Sequence, residues 1–361
     1  MSGTIPGRKV LNGRGALSNP GGRFESQEVV EFHDGWYEEA QPQSIATTVA
    51  PDRAKHVITK NESPDIGFDY SINPYRGCEH GCIYCYARPT HAYMGLSAGI
   101  DFETRLFYKV NAGVVLEREL AKTGYIPKPI MLGANTDPYQ PVERDLRVTR
   151  SVLEVLARTR HPVSIISKSA MVLRDLDLLT DMAKDNLVSV AISITTLNDQ
   201  TKRTLEPRTA SPLARLRVIR ELRAAGVPCG VMVAPVIPAI TDHEMELILG
   251  EATSAGALWA GYVLLRLPHE VKDLFRDWLH EHFPDRAGHV MSLINDMRGG
   301  RDNDPDFGSR MKGTGPIAEL IRSRFNIACK RLNLDNQVKR VSQPTNLFRP
   351  PSLNDSQMGL F

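Results

Sequence analysis

The sequence predicts an α/β fold, a partial (β/α)6 TIM-type barrel with a helical C-terminal extension, on three observations. From Phe68 onward, short apolar, β-branched runs alternate with amphipathic segments, the pattern of parallel strands joined by crossover helices. Six such units can be counted before the pattern turns helical at Glu270, short of the eight of a closed barrel. Cys78, Cys82 and Cys85 follow the first strand directly, at the strand end where barrels carry their chemistry.

The first strand ends at Asn73-Pro74, and residues 104–122 read as the helix after the cysteine loop. Residues 129–133 form the second strand, 143–158 a helix, 163–167 the third strand and 175–185 a short helix. Residues 187–194 are the most continuous apolar run, expected to be buried on both faces. Beyond Pro212, the residues Leu213, Leu216, Ile219 and Leu222 recur every three positions and mark one helix face that ends at Gly226. Residues 229–236 are the fifth strand, 242–255 a helix and 262–267 the sixth strand. Helices are expected over 271–280, 287–297 and 316–332, with the charged, Gly-rich loop 298–304 between them.

The predicted organisation is therefore an irregular N-terminal extension over 1–65, the barrel over 66–270, a helical basic region over 271–345 and a tail over 346–361. A chain of 361 residues with 42% hydrophobic content can bury a large core. Lys+Arg 44 against Asp+Glu 42 gives a formal charge of +2, so any basic surface has to be local. Three of the five cysteines are clustered, which argues against a disulfide framework and for thiolates on a metal in a reducing compartment. The N-terminus has no signal-peptide core, and no apolar run approaches a membrane span, so a soluble cytoplasmic protein is expected.

The C-x3-C-x2-C loop offers three thiolates to one inorganic centre with no fourth cysteine nearby. A structural zinc completed by His80 or His91 is one reading. An iron–sulfur cluster is the better match, because zinc ligands usually come in two separated pairs, and Gly77 and Gly81 let the backbone fold closely around a cluster.

The run Cys78-Glu79-His80-Gly81-Cys82-Ile83-Tyr84-Cys85 resembles the radical SAM signature, including the aromatic Tyr84 before the third cysteine. With Tyr86-Ala87-Arg88-Pro89 it resembles the spore photoproduct lyase-like branch of that superfamily, over roughly residues 65–340. The resemblance implies a [4Fe-4S] cluster on Cys78, Cys82 and Cys85. Its open iron would be chelated by S-adenosylmethionine, with reductive cleavage to a 5′-deoxyadenosyl radical and an electron donor of flavodoxin or ferredoxin type. It further implies cofactor contacts at Tyr84, Gly133, Lys168, Ser193 and Thr195, each at or near a strand end. Asp137, Tyr139, Glu206 and Arg208 are the candidates for catalytic or substrate contacts. The hydrogen-donor cysteine that spore photoproduct lyase carries after the second strand has no counterpart in Gly133-Ala134-Asn135-Thr136-Asp137, which puts that lyase reaction in doubt. Cys229 and Cys329 are most simply buried apolar residues.

Between Arg310 and Arg349 nine Lys and Arg residues face only Glu319 and Asp335, which suits a phosphate-backbone partner. The chain stops at Gln357-Met358-Gly359-Leu360-Phe361, which resembles the peptide by which bacterial polymerases and repair proteins dock on the sliding clamp. Gln357, Met358, Leu360 and Phe361 are thus candidate partner-binding residues. The residues and resemblances together predict a radical SAM enzyme acting on DNA, a lesion lyase or another repair enzyme. Alternatives are radical SAM modification of RNA or protein, and a DNA-binding protein whose iron–sulfur or zinc centre is not catalytic.

Overall fold

The computed structural model describes residues 13–24, 45–334 and 343–352. In chain order the described strands are β1 (Thr48–Asp52), β2 (Ile58–Lys60), β3 (Tyr70–Ile72), β4 (Tyr75–Arg76), β5 (Arg105–Lys109), β6 (Ile130–Leu132), β7 (Val163–Ser167), β8 (Val188–Ser193), β9 (Cys229–Val236) and β10 (Ala260–Leu264). The large sheet runs β10-β9-β8-β7-β6-β3-β2. Every pair in it is parallel except the edge pair of β2 with β3. Six parallel strands in sequential order are the partial barrel that the alternation predicts.

The register explains the two faces. Leu132 stands beside Ile165, Ile165 beside Val190 and Val190 beside Cys229, all buried beneath the crossover helices. The residues between them, Met131, Ser164 and Ser189, turn to the opposite, barrel-interior face and are only partly buried. The helices are α1 (Ile100–Thr104), α2 (Ala112–Leu120), α3 (Glu143–Leu146), α4 (Val148–Arg158), α5 (Leu176–Ala183), α6 (Asp199–Leu205), α7 (Pro212–Ala224) and α8 (Met245–Ser254). Beyond the barrel come α9 (Val271–His282), α10 (Ala287–Asp296) and α11 (Gly315–Arg331).

Three local expectations are revised. The helix expected over 104–122 is α2 alone in its second half, because 105–109 forms β5, which pairs in parallel with β1 and antiparallel with β4. The helix expected over 143–158 breaks at Arg147, whose φ of 51° separates α3 from α4. On α7 the buried stripe is Leu216, Val218, Ile219 and Leu222 with Arg215, while Leu213 is 75% exposed. The helical period carries Leu213 off that stripe, and the buried arginine is explained by the site below.

The described tail runs to the end of the barrel opposite the strand C-termini. Gln343 Nε2 donates to Val163 O at 2.6 Å, at the start of β7. Phe348 packs on Tyr125 and His161, and Arg349 N donates to Thr159 O at 2.8 Å.

Candidate active site

The cysteine loop leaves β4 at Gly77, where φ is +76°; a Cβ there would stand 2.6 Å from Leu106 Cδ2 and 2.9 Å from Phe102 O. Only glycine takes this turn at this distance. The loop is then held from below by a buried ion pair. Arg88 donates to the carbonyls of Cys82 (2.9 Å), Gly81 (3.1 Å), Ala98 (3.1 Å) and Gly99 (2.9 Å), and to Glu103 Oε1. Glu103 accepts in turn from Gly15 N at 3.0 Å and Ala16 N at 2.9 Å, tying the N-terminal segment over the loop. Gln140 closes one side, accepting from Glu79 N at 2.8 Å and donating to Gly77 O at 3.2 Å.

Cys78 and Cys82 are buried and Cys85 is half-buried, all as free thiols. Burial pushes all three thiols up, and for Cys78 the neighbouring Asp137, Cys82 and Cys85 add to it. Deprotonating three such neighbours together calls for a strong positive centre, which is what an iron cluster supplies. The nearby backbone N–H groups of His80, for Cys78, and of Ala87 and Arg88, for Cys85, offset part of that rise. Among the described residues no three His, Cys, Asp or Glu side chains converge on single-ion geometry. Each candidate histidine has one ring nitrogen engaged, His80 Nδ1 with Asp137 Oδ2 at 3.3 Å and His91 Nε2 with Arg105 O at 3.0 Å, and neither joins the cysteines in a single-ion site. The donor set therefore fits a cluster, which spans more space than one ion, and gives the zinc reading no fourth ligand.

Beside the loop, the ends of β7, β8 and β9 bring five expected residues into one polar network. Lys168 Nζ donates to Ser193 Oγ (2.7 Å) and Ala234 O (2.9 Å), and lies 3.1 Å from Glu206 Oε1 and 3.3 Å from Thr195 Oγ1. Glu206 also accepts from Thr195 at 2.7 Å, from the Tyr84 hydroxyl and from Arg215. Burial alone would raise the Glu206 carboxyl, but Arg215 and Lys168, with hydrogen bonds from Tyr84 and Thr195, hold it well below the usual carboxylate range. Arg215 is anchored by Ala210 O and Ser193 O, both at 2.9 Å, which accounts for a guanidinium inside the α7 stripe.

Asp137 faces the loop from the end of β6. It accepts from Ser167 Oγ at 2.8 Å, Lys168 N at 2.7 Å and Tyr139 N at 2.9 Å, besides its contact with His80. Burial opposes its charge, yet His80 and these N–H donors keep its pKa low. Gly133, with φ +89°, sits where a Cβ would come within 2.5 Å of Ile166 O. Arg208 NH1 reaches Glu79 Oε1 at 3.1 Å, which also accepts from Thr47 at 2.6 Å, so this residue braces the loop.

Tyr139 is not brought to the mouth. The Asp137 carboxylate caps its N–H, and the ring turns into the main core, 5.9 Å from the Arg174 guanidinium. Gln357, Met358, Leu360 and Phe361 lie outside the described residues. The basic stretch is partly neutralised, since Arg310 pairs with Asp65 at 2.6 Å and Arg324 with Glu246 at 2.7 Å, while Lys312, Lys330 and Arg331 are exposed. Sequence reasoning missed Arg88, Glu103, Gln140 and Arg215. A charge interrupting an apolar helical period was a usable signal for Arg215, whereas nothing local marked Glu103. Among the described residues no helix is long and apolar enough to cross a membrane.

A family model described as the radical SAM superfamily matches residues 72–252. An uncharacterised protein of Mycobacterium tuberculosis strain H37Rv is 39% identical over 228 residues, covering 63% of this chain and 67% of that protein. A Pseudomonas phage M6 protein named radical SAM Nalpha-GlyT isomerase is 26% identical over 218 residues, covering 58% of this chain and 39% of its own. Spore photoproduct lyase, solved in complex with dinucleoside spore photoproduct, superposes with a TM-score of 0.57 at 16% identity, covering 83% of this chain and 85% of that one. At that identity the likeness is one of fold.

Proposed function

The chain belongs to the radical SAM superfamily, and from that premise we propose that it is a radical SAM enzyme that abstracts hydrogen from DNA in a repair context. In this reading Cys78, Cys82 and Cys85 hold a [4Fe-4S] cluster, and Lys168, Ser193, Thr195, Tyr84 and Gly133 face S-adenosylmethionine. With both bound, the chemistry supplied is one-electron cleavage of S-adenosylmethionine and a 5′-deoxyadenosyl radical. The protein's own part is orientation and exclusion of water. Lys168 presents a charge-assisted donor at the end of β7, suited to a carboxylate. Glu206 and Arg215 fix that lysine and the Tyr84 hydroxyl, and Asp137 fixes His80 within the loop. Glu206 and Asp137 are therefore assigned as positioning residues.

The observation that carries the enzymatic reading is the meeting of three clustered thiols, two buried and one half-buried, with the Lys168–Glu206 network at the same strand ends. Anaerobic reconstitution with iron and sulfide, followed by a strong reductant and S-adenosylmethionine, is expected to yield 5′-deoxyadenosine. Equal yields from the wild type and from Cys82→Ala would sink the assignment.

DNA is supported by the exposed Lys312, Lys330 and Arg331, and by a neighbour of the same fold that was solved with dinucleoside spore photoproduct. The segment after Gly133 carries no thiol, so the reaction assigned is hydrogen abstraction from DNA rather than that lyase's own. The terminal Gln357-Met358-Gly359-Leu360-Phe361 is assigned to a sliding clamp. The described chain before it, Arg349 to Ser352, lies beside Thr159 at the barrel end opposite the site. Deleting residues 357–361 should abolish clamp binding in surface plasmon resonance while 5′-deoxyadenosine formation persists. An intact chain that does not bind the clamp removes this partner.

A further inference from the structure

Arg266 stands two residues beyond β10 on the rim of the same mouth, and its guanidinium has almost no partners. Nη1 reaches only Met311 Sδ, at 3.6 Å, a weak acceptor. Nε is buried without an acceptor. Among the described residues no carboxylate is in ion-pair contact with it, because the nearby acids are engaged: Asp65 holds Arg310 through bonds of 2.7 and 2.6 Å, and Asp304 accepts from Asp306 N at 2.9 Å. Arg298, the third guanidinium of this corner, is taken up by the carbonyls of Leu265, Ser309 and Arg310. Arg266 is thus the guanidinium of this corner that lacks oxygen acceptors.

Its position gives that group a use. The guanidinium carbon lies 5.7 Å from the centre of the Tyr86 ring. Tyr86 directly follows Cys85, and its hydroxyl donates to Ala134 O, so the ring spans from the cysteine loop to the end of β6. Arg266 is therefore at the edge of the space above the three thiols. The buried Nε without an acceptor is unfavourable, and an oxyanion with two oxygens matches the fork of Nε and the outer nitrogens. Tyr86 is 47% exposed and offers a ring face beside the anchor on which a base can stack.

We propose that Arg266 anchors a phosphodiester group of the substrate at the barrel rim, so that the nucleotide attached to it enters over Tyr86. The inference rests on the DNA reading and specifies where the backbone is held. It also separates two basic surfaces: Lys312, Lys330 and Arg331 add attraction at a distance, whereas Arg266 sets the register of the reacting nucleotide.

The test measures binding of a short fluorescein-labelled single-stranded oligodeoxynucleotide to the reconstituted full chain by anisotropy across a salt series. Arg266→Gln should bind about ten- to a hundred-fold more weakly. Its slope of log K against log salt should be shallower by about 0.7, the loss of one phosphate contact. Arg266→Lys, which keeps the charge without the fork, should retain the slope with intermediate affinity and guards against a folding defect in the first variant. Arg217→Gln removes an equal charge from the exposed side of α7 and should bind as the wild type does. A wild type that binds no oligonucleotide overturns the DNA reading itself. A wild type that binds, with Arg266→Gln matching it in affinity and slope, or with Arg217→Gln weakened as much, overturns the anchor and leaves the DNA reading standing.

Discussion

Replacing Arg88 by Met tests whether the cysteine loop is held by the buried pair beneath it. The guanidinium is fully buried and donates to four backbone carbonyls at 2.9 to 3.1 Å and to Glu103. Methionine fills much of the volume but supplies no donor. Glu103 is then left as a buried carboxylate with only the N–H groups of Gly15 and Ala16. Breaking a buried pair from one side costs about 3–5 kcal/mol. A typical domain has about 5–15 kcal/mol in total, so the variant should keep its barrel yet lose the order of its loop. Glu103→Gln keeps an acceptor and should cost about 1.5–3 kcal/mol. The double variant should fall short of the sum of the two by about 2 kcal/mol, because neither residue is then left charged and alone. Urea unfolding of the anaerobic, reduced apo-protein gives the three values, and iron per chain after reconstitution reports the loop. An Arg88→Met protein within about 1 kcal/mol of the wild type and with full iron content would refute the argument, as would strictly additive single variants.

Gly77→Ala should lose most of its reconstituted iron, since the new Cβ meets Leu106 and Phe102 O at 2.6 and 2.9 Å in a left-handed turn; full loading would show that the loop can be reshaped. Lys168→Met should weaken S-adenosylmethionine binding about ten- to a hundred-fold in equilibrium dialysis, the value of one charge-assisted hydrogen bond, and unchanged affinity would remove Lys168 from the cofactor site. Burial lowers His161 from 6.5 to about 4, with Nδ1–H donating to Pro162 O at 3.0 Å and Nε2 accepting from the Tyr125 hydroxyl at 2.8 Å. The unfolded chain takes up this proton below about pH 6.5 and the native one only near pH 4, so stability is full above that window and falls by about 3 kcal/mol as pH drops through it. His91 and His282, also lowered by burial, add falls of the same sign, so His161→Gln should make the fall shallower by about 3 kcal/mol without abolishing it; a curve as steep as the wild type's would contradict the buried neutral imidazole.

What could be read from the sequence follows from what is local. Strands β7 and β9 lie where the apolar runs put them, because the residues that bury one face of each strand beneath the helices are contiguous in the run itself, while the other face of β7 is only partly buried. The cysteine loop was legible for the same reason, since its ligands and its two glycines are contiguous. What escaped is what only distant chain supplies. Residues 105–109 look helical until β1, more than fifty positions earlier, provides a strand to pair with. Glu103 looks like one more charge on a short helix until Gly15, Ala16 and Arg88 converge on it. Counting charge along the chain overstated the C-terminal basic surface, because Asp65 and Glu246, which neutralise two of its arginines, come from elsewhere.

The same geometry decides which partner of the Lys168–Glu206 pair can turn to a ligand. Glu206 is fully buried and receives four donors, from Tyr84, Thr195, Lys168 and Arg215, which fills the acceptor sites of a carboxylate. Releasing any of them leaves a buried group unpaired, and releasing Arg215 leaves a buried charge unpaired. Lys168 is the more accessible, with 16% of its side chain exposed, and one of its three protons goes to the neutral Ser193 hydroxyl. Exchanging that neutral acceptor for a carboxylate strengthens the bond, while Ser193 keeps its own donation to Ala234 O at 3.0 Å. The lysine is thus held loosely enough to change partner, and the glutamate tightly enough to hold it in place while it does.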